Sequence, residues 1–486
     1  MKAMKIDRNI MLVVLFIGFL NFSFGQDKKL KLTVYAPKTS NLNVKVTSPV
    51  EGYYFGGNTN DFTLGEQTHK GEYSMSVGPG QQIIHVENDY QDAKLIVMEG
   101  DNITITFQGN DSLLVSGNNA EGQLLYNHLT KDDTRSRFQE LDVYSTVAER
   151  LQMIDRMQKK DEQEIIGLLK SKKITPDFAD LFKIESKMYY KLLWSTDLFF
   201  TCRPLVYGED PATAKISPQF VEAWKKLYAD MTVDWAKSPF YPLLMSRYSS
   251  LLSIGKPESN DPSKPYALSQ IEKLKTVLKG KALEYGWANS ITEGLGRNEN
   301  EKVWLTNFED FKTYFSGSPL IPILNPMIKK VEDYQAKLLI DTPGVIFLEN
   351  TEKYSSLKAL FKDIKGKFYY VDLWATWCNP CRAELQFSIK LHDEIEKIGY
   401  TPLYLSIDNE KANAAWKEMV KGYPLKGLNV RAGESLQKEI NQEVPKFTGI
   451  PRYLIVNDQG EIVNWDAKRP SDGIELIKQL SSYRKL

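Results

Sequence analysis

The stretch Trp374-Ala375-Thr376-Trp377-Cys378-Asn379-Pro380-Cys381 sets the tightest limit on what this chain folds into. An apolar run, Phe368-Tyr369-Tyr370-Val371-Asp372-Leu373, leads into it, and a helix-like stretch from Arg382 to Ile398 leaves it. A strand that passes into a helix through a turn holding two cysteines is a narrow prescription. The two-residue gap lets a disulfide close across one helical turn. Pro380 suits the first helical turn, where its missing N–H has no partner to lose. Cys378 is then expected at the exposed helix N-terminus, where unpaired N–H groups and the helix dipole favour a thiolate.

A magnitude limits what that placement does. A fall in pKa from about 8.5 to about 7 raises the thiolate at neutral pH from a few per cent to half. Intrinsic nucleophilicity drops about fivefold over the same change. The gain as attacker is therefore a few-fold, and the larger effect is a better leaving group. Thiol acidity alone does not fix whether such a pair oxidises or reduces.

Other uses of the pair fit less well. A zinc site needs two more ligands, and the nearest histidine, His392, lies well along the same helix, so no metal is expected. A purely structural bridge over so small a loop constrains the unfolded chain little. The chain has 3 cysteines, so two are close in sequence and the third is alone. Cys202, in Phe200-Thr201-Cys202-Arg203-Pro204, reads as a buried, inert thiol, with a regulatory partner for the pair as the alternative.

Three further features bear on the chemistry. Asp372 falls in mid-strand between Val371 and Leu373, where a carboxylate is costly unless paired or protonated. Raised in pKa, it would take the Cys381 proton, with a solvent-reaching or lysine-paired acid as the plain alternative. Glu384, one turn beyond Cys381, competes for that role or is an ordinary acid favoured by the helix dipole. Gly449-Ile450-Pro451 enters a strand through a proline and is a candidate for a cis bond. It would leave the Ile450 backbone free to pair with an extended peptide beside the cysteines.

Together these residues resemble the thioredoxin superfamily. Val371-Asp372-Leu373-Trp374-Ala375 and Trp377-Cys378-Asn379-Pro380-Cys381 are similar to its strand-to-active-helix signature, and Gly449-Ile450-Pro451 to its cis-proline loop. Trp374-Ala375-Thr376-Trp377-Cys378, Glu384, and Ser406-Ile407-Asp408 followed by Trp416 resemble the TlpA/ResA-like extracytoplasmic branch. The resemblance covers about residues 342–486. It implies a thioredoxin fold, Cys378 as nucleophile, Cys381 as resolving thiol, and Trp377, Ile450 and Pro451 on the substrate side. Asp372 and Glu384 both match acids of the family, so their division of labour stays open. Peroxiredoxins share the fold but place a threonine three residues before the cysteine; Thr376 is two before, and the associated proline is missing.

The rest of the chain is less specific. Residues 1–26 read as a cleaved secretory leader, with Lys2, Lys5 and Arg8 ahead of an apolar core, Ile10 to Leu20, and small residues Ser23 and Gly25 before the cut. That core is shorter than the ~20 residues of a membrane span, which makes a retained anchor the lesser reading. Residues 27–118 alternate as strands (Leu30, Leu32, Val34; Ile103, Ile105, Phe107) and predict a sandwich or open barrel. His69 and His85 there read as surface or structural residues. Residues 119–340 turn helical and aromatic-rich, punctuated by prolines such as Pro176, Pro204 and Pro265. Residues 341–486 alternate strands and helices as an α/β domain. This upstream arrangement resembles secreted Bacteroidetes proteins that carry a β-rich domain ahead of a TlpA-like one.

The expected chain is therefore multidomain: an all-β module, an all-α region and a C-terminal α/β thioredoxin fold. With 62 basic and 62 acidic residues it has no net field to draw nucleic acid. The expected activity is periplasmic thiol–disulfide exchange on disulfide-bearing proteins, in the reducing direction, fed by a membrane-embedded thiol donor and needing no cofactor. The periplasm has no reducing buffer of its own, hence the donor. The competing readings are a partner-binding scaffold with an accessory redox domain, and a disulfide oxidase or isomerase.

Overall fold

The computed structural model describes residues 29–484, apart from 39, 41, 79–81, 89–90, 109–111, 132–133, 257–264, 341 and 446–447. The leader read in residues 1–26 lies outside the described residues. Among those described, no helix is long and apolar enough to cross a membrane.

The N-terminal part forms two four-stranded sheets. Their strands bury every second side chain: Leu30, Leu32 and Val34 point into the core while Lys31 is exposed. One shared core takes Val44 and Val46 from one sheet and Ile103, Ile105 and Phe107 from the other. Leu30–Tyr35 pairs parallel with Asn102–Phe107 and antiparallel with Lys70–Met75.

The edge strand Gln91–Val97 is clipped to the first helix, Ala120–Lys131. The Gln123 side-chain amide accepts from the Ile96 N–H (3.1 Å) and donates to the Ile96 carbonyl (2.6 Å). Asn127, one helical turn on, does the same at Lys94, at 2.8 Å each way. The two amides occupy edge groups that would otherwise be open to another strand.

The helical region is organised on Pro176–Val206, capped by Thr175 and buried on nearly every side. Pro204 does not punctuate here as the sequence led us to expect. It sits in the last turn of that helix, and Cys202 precedes it, fully buried. A buried pair, Arg150 with Asp197 at 2.8 Å, ties Val147–Lys170 to it.

The C-terminal part is a six-stranded mixed sheet in the order Ile462–Asn464, Arg452–Val456, Phe368–Trp374, Tyr400–Ser406, Gly427–Arg431, Val345–Phe347. Phe368–Trp374 lies inside it, parallel to Tyr400–Ser406 and antiparallel to Arg452–Val456. Val371 and Leu373 face a core shared with the helices Leu357–Asp363 and Glu434–Glu443. Tyr370 and Trp374 face the other way and pack against Ile395 and Leu385 of Asn379–Lys397. Strand Gly427–Arg431 and helix Glu434–Glu443 were not anticipated from sequence.

Candidate active site

The last residue of the inner strand, Trp374, is fully buried, and the chain then turns into the helix Asn379–Lys397 with Cys378 as its N-cap. Cys378 and Cys381 form a disulfide, with Cα atoms 5.2 Å apart. The Cys381 N–H, one of the helix's free N-terminal donors, points at Cys378 Sγ at 3.2 Å. That donor is the local feature that would stabilise negative charge on this sulfur once the bridge opens.

Cys378 is less open than its place at a helix tip led us to expect: only 4% of its surface is exposed. Trp377 stands beside it, 63% exposed. Access runs through a groove of about 520 Å³ lined by Trp377, Asn379, Pro380, Ile407, Asn441 and Ile450, without a charged side chain. The Ile450–Pro451 peptide is cis, and the Ile450 carbonyl oxygen lies 3.8 Å from Cys378 Sγ. Trp377, Ile450 and Cys378 are thus brought together, with Pro451 adjoining through Ile450.

Asp372 alternates onto the strand face covered by the active-site helix, between Tyr370 and Trp374. It is 2% exposed, and neither carboxylate oxygen has a hydrogen-bond partner. Burial pushes its carboxyl far above the usual carboxylate range, and the charge of Glu384 adds to the shift. Glu384 is also buried but fully engaged: Ser471 donates from its N–H (3.0 Å) and its hydroxyl (2.8 Å) to the two carboxylate oxygens. The two acids that the sequence left level are therefore unlike, one bare and one held.

Sequence reasoning missed how the turn is fixed. Asp408 accepts from the Thr376 N–H (2.9 Å), the Thr376 hydroxyl (2.7 Å) and the Ser406 hydroxyl (2.7 Å). In the sequence, Ser406-Ile407-Asp408 carries a signal only through its resemblance to the TlpA/ResA-like branch. Asn441 gave no signal, being a polar residue on a surface helix.

Cys202 stands apart. Burial, then the nearby charge of Asp197, pushes its thiol up to about 12, which makes it inert at neutral pH. His392 bonds towards Glu396 at 3.4 Å and lies about 16 Å along the helix from Cys381 at 1.5 Å per residue. Among the described residues, no group of three or more His, Cys, Asp or Glu is placed to hold a metal.

Comparison with known proteins falls on this part of the chain. The Redoxin family model matches residues 347–475. The thiol-disulfide oxidoreductase ResA of Bacillus thuringiensis subsp. konkukian is 33% identical over 129 residues, which is 26% of this chain and 68% of that protein. ResA of Bacillus subtilis is 21% identical over 123 residues, 25% of this chain and 63% of its own. Among solved structures, the thioredoxin domain of a thiol-disulfide oxidoreductase from Bacteroides vulgatus matches with 23% identity and a TM-score of 0.21. It covers 25% of this chain and 81% of that one. The chain belongs, through its C-terminal domain, to the TlpA/ResA-like branch of the thioredoxin superfamily and is a thiol–disulfide oxidoreductase.

Proposed function

We propose that this chain is an extracytoplasmic reductase of protein disulfides working through Cys378 and Cys381. The observation that carries the reading is the 3.2 Å contact from the Cys381 N–H to Cys378 Sγ, at the floor of an uncharged groove.

In the reduced enzyme the Cys378 thiolate attacks one sulfur of a substrate disulfide. The substrate S–S bond breaks, the other substrate sulfur leaves as a thiolate, and a mixed disulfide forms on Cys378. Cys381 passes its proton to the ionised form of Asp372, which burial makes scarce but strongly basic, and attacks Cys378 Sγ. The second substrate sulfur leaves and recovers a proton from Asp372. The substrate has gained two electrons, and the enzyme carries the Cys378–Cys381 bridge. A membrane-embedded dithiol donor then reduces that bridge by the reverse exchange. Asp372 is assigned the proton because it is unpartnered and Glu384 is not. Glu384 acts on Asp372 by charge and is itself placed by Ser471. Trp377, Ile450 and Pro451 hold an extended substrate segment in the groove.

The charged-then-apolar start of residues 1–26 supports export. We assign residues 27–118 to a β-rich domain, 119–340 to a helical region and 341–486 to the redox domain. The supporting boundaries are the end of a strand at Gly117, a helix start at Ala120, a helix end at Lys337 and a strand start at Val345. The test is insulin reduction with a dithiol donor, where wild type should be active and Cys378→Ser dead. A reduction potential near about −270 mV supports the reducing direction, and one near about −120 mV overturns it.

A further inference from the structure

The redox turn is held from two sides, and one of them belongs to the helical region. Arg382 follows Cys381 directly, in the first turns of the active-site helix. A cation there opposes the helix dipole, so its placement needs another cause. Its side chain is buried, and Nε donates to the Thr376 carbonyl at 2.6 Å, two residues before Cys378. The other half of the guanidinium points out of the redox domain. Nη1 donates to the Asn298 carbonyl (3.3 Å), and Nη2 lies 3.7 Å from Glu301 Oε1.

Asn298 and Glu301 belong to the segment after the helix Gly280–Gly296 of the helical region. Asn298 has φ 55°, a left-handed conformation that asparagine tolerates. Gln386, one turn beyond Arg382, donates to Asn298 Oδ1 at 2.9 Å. Asn300 donates to the Tyr423 hydroxyl (3.1 Å), and Gln335 donates to the Asn300 carbonyl (2.8 Å). Tyr334 packs edge-on to Tyr423 with ring centres 5.5 Å apart. Two carboxylates crowd this junction, Glu299 and Glu301, each with one oxygen lacking a partner.

We propose that Arg382 is a positioning residue through which the segment Asn298–Glu301 sets the reactivity of the Cys378–Cys381 pair, so that the helical region is part of the redox centre. This rests on the redox reading of that pair. Arg382 brings positive charge to the base of the turn and fixes the Thr376 carbonyl. Glu301 opposes that charge, and Glu299, whose carboxyl burial and then the Glu301 charge push up to about 7, does so only in part at neutral pH. Removing the acid leaves the cation less compensated and favours thiolate on Cys378. Removing the cation does the reverse.

The test compares Glu301→Gln and Arg382→Ala with wild type as full-length protein, by equilibration with glutathione and by the pH dependence of Cys378 alkylation. Glu301→Gln should lower the thiol pKa and shift the glutathione equilibrium at least threefold towards the dithiol. Arg382→Ala should raise the thiol pKa and shift the equilibrium at least threefold towards the disulfide. General loosening of the turn would move both variants in the same direction, and that result, or no shift in either, overturns the proposal. The Glu301 side chain is 40% exposed, so its amide variant folds and decides the matter alone if Arg382→Ala does not. A wild type whose thiols never equilibrate with glutathione would instead remove the redox reading itself.

Discussion

Both carboxylate oxygens of Asp372 lack partners at a site that is 2% exposed, so the folded protein holds this proton more tightly than the unfolded chain does. The consequence for stability has a definite sign. The contribution is fully present below the unfolded carboxyl pKa of about 3.9 and is lost as pH rises through the folded value. Asp372→Asn removes that loss. It should stabilise the protein at pH 7 relative to wild type, with the gap closing by pH 4, because an amide carries no proton whose loss burial penalises. Urea midpoints at the two pH values measure it. Insulin reduction by the same variant should fall about a hundredfold, while alkylation of Cys378 continues, because the missing step is general base help to Cys381. Unchanged turnover would show that the proton goes elsewhere.

At the scale of elements, the active-site helix depends on its neighbours in the sheet. Strand Tyr400–Ser406 lines up with Phe368–Trp374 residue for residue, and this delivers Asp408 to Thr376 just past the strand ends. The next strand over, Gly427–Arg431, starts at a glycine with φ 120°, where a Cβ would meet the Pro402 carbonyl oxygen at 2.3 Å. Gly427→Ala combines backbone strain with a backbone clash and should destabilise the protein by about 1–3 kcal/mol or more. The readout is a lower urea midpoint at unchanged slope, and an unmoved midpoint would mean that this strand tolerates displacement.

The same region explains what the sequence concealed. The strand ending at Trp374 and the helix after it were legible because apolar runs and the cysteine turn mark them strongly. Gly427–Arg431 was not, since it is five residues long, begins at a glycine and carries a polar Asn429. That asparagine is buried, with Nδ2 donating to the Leu425 carbonyl at 2.8 Å and, across to the neighbouring strand, to the Ile346 carbonyl at 3.5 Å, a long-range bond that no local pattern encodes. Helix Glu434–Glu443 buries only Leu436 and Ile440 and has no side-chain cap, so its period is too thin to read. The cysteines, Asp372 and the proline loop could be found by local rules. Arg382 could not, because its partners are 84 and 81 positions away in the chain, from 382 − 298 and 382 − 301.

Across the whole molecule, the helical region has a buried polar centre of its own and a joint to the redox domain, and each has its own test. Inside the helical region, Glu185 accepts from the Ser238 hydroxyl (2.8 Å) and the Tyr126 hydroxyl (3.4 Å) at a fully enclosed site. Burial pushes its carboxyl up to about 7 from 4.5. Stability from this group is present below pH 4.5 and lost as pH rises through about 7. At 1.36 kcal/mol per pH unit, the loss is about 3 kcal/mol. Glu185→Gln should flatten the fall in stability between pH 5 and pH 8, and an unchanged pH profile would refute the assignment. On the redox side, Tyr334 lies directly on the backbone of Gly422, where an added methyl would come within 2.1 Å of its ring. Gly422→Ala must therefore displace Tyr334 from Tyr423 and open the joint that also carries Asn300 and Arg382. If the helical region and the redox domain melt together because of this contact, calorimetry should show one transition in wild type and two in the variant. The glutathione equilibrium of the Cys378–Cys381 pair should move with that separation. A variant that still melts as a single unit, with its thiols unaltered, would mean that Tyr334 merely covers the surface and that the two parts are coupled elsewhere.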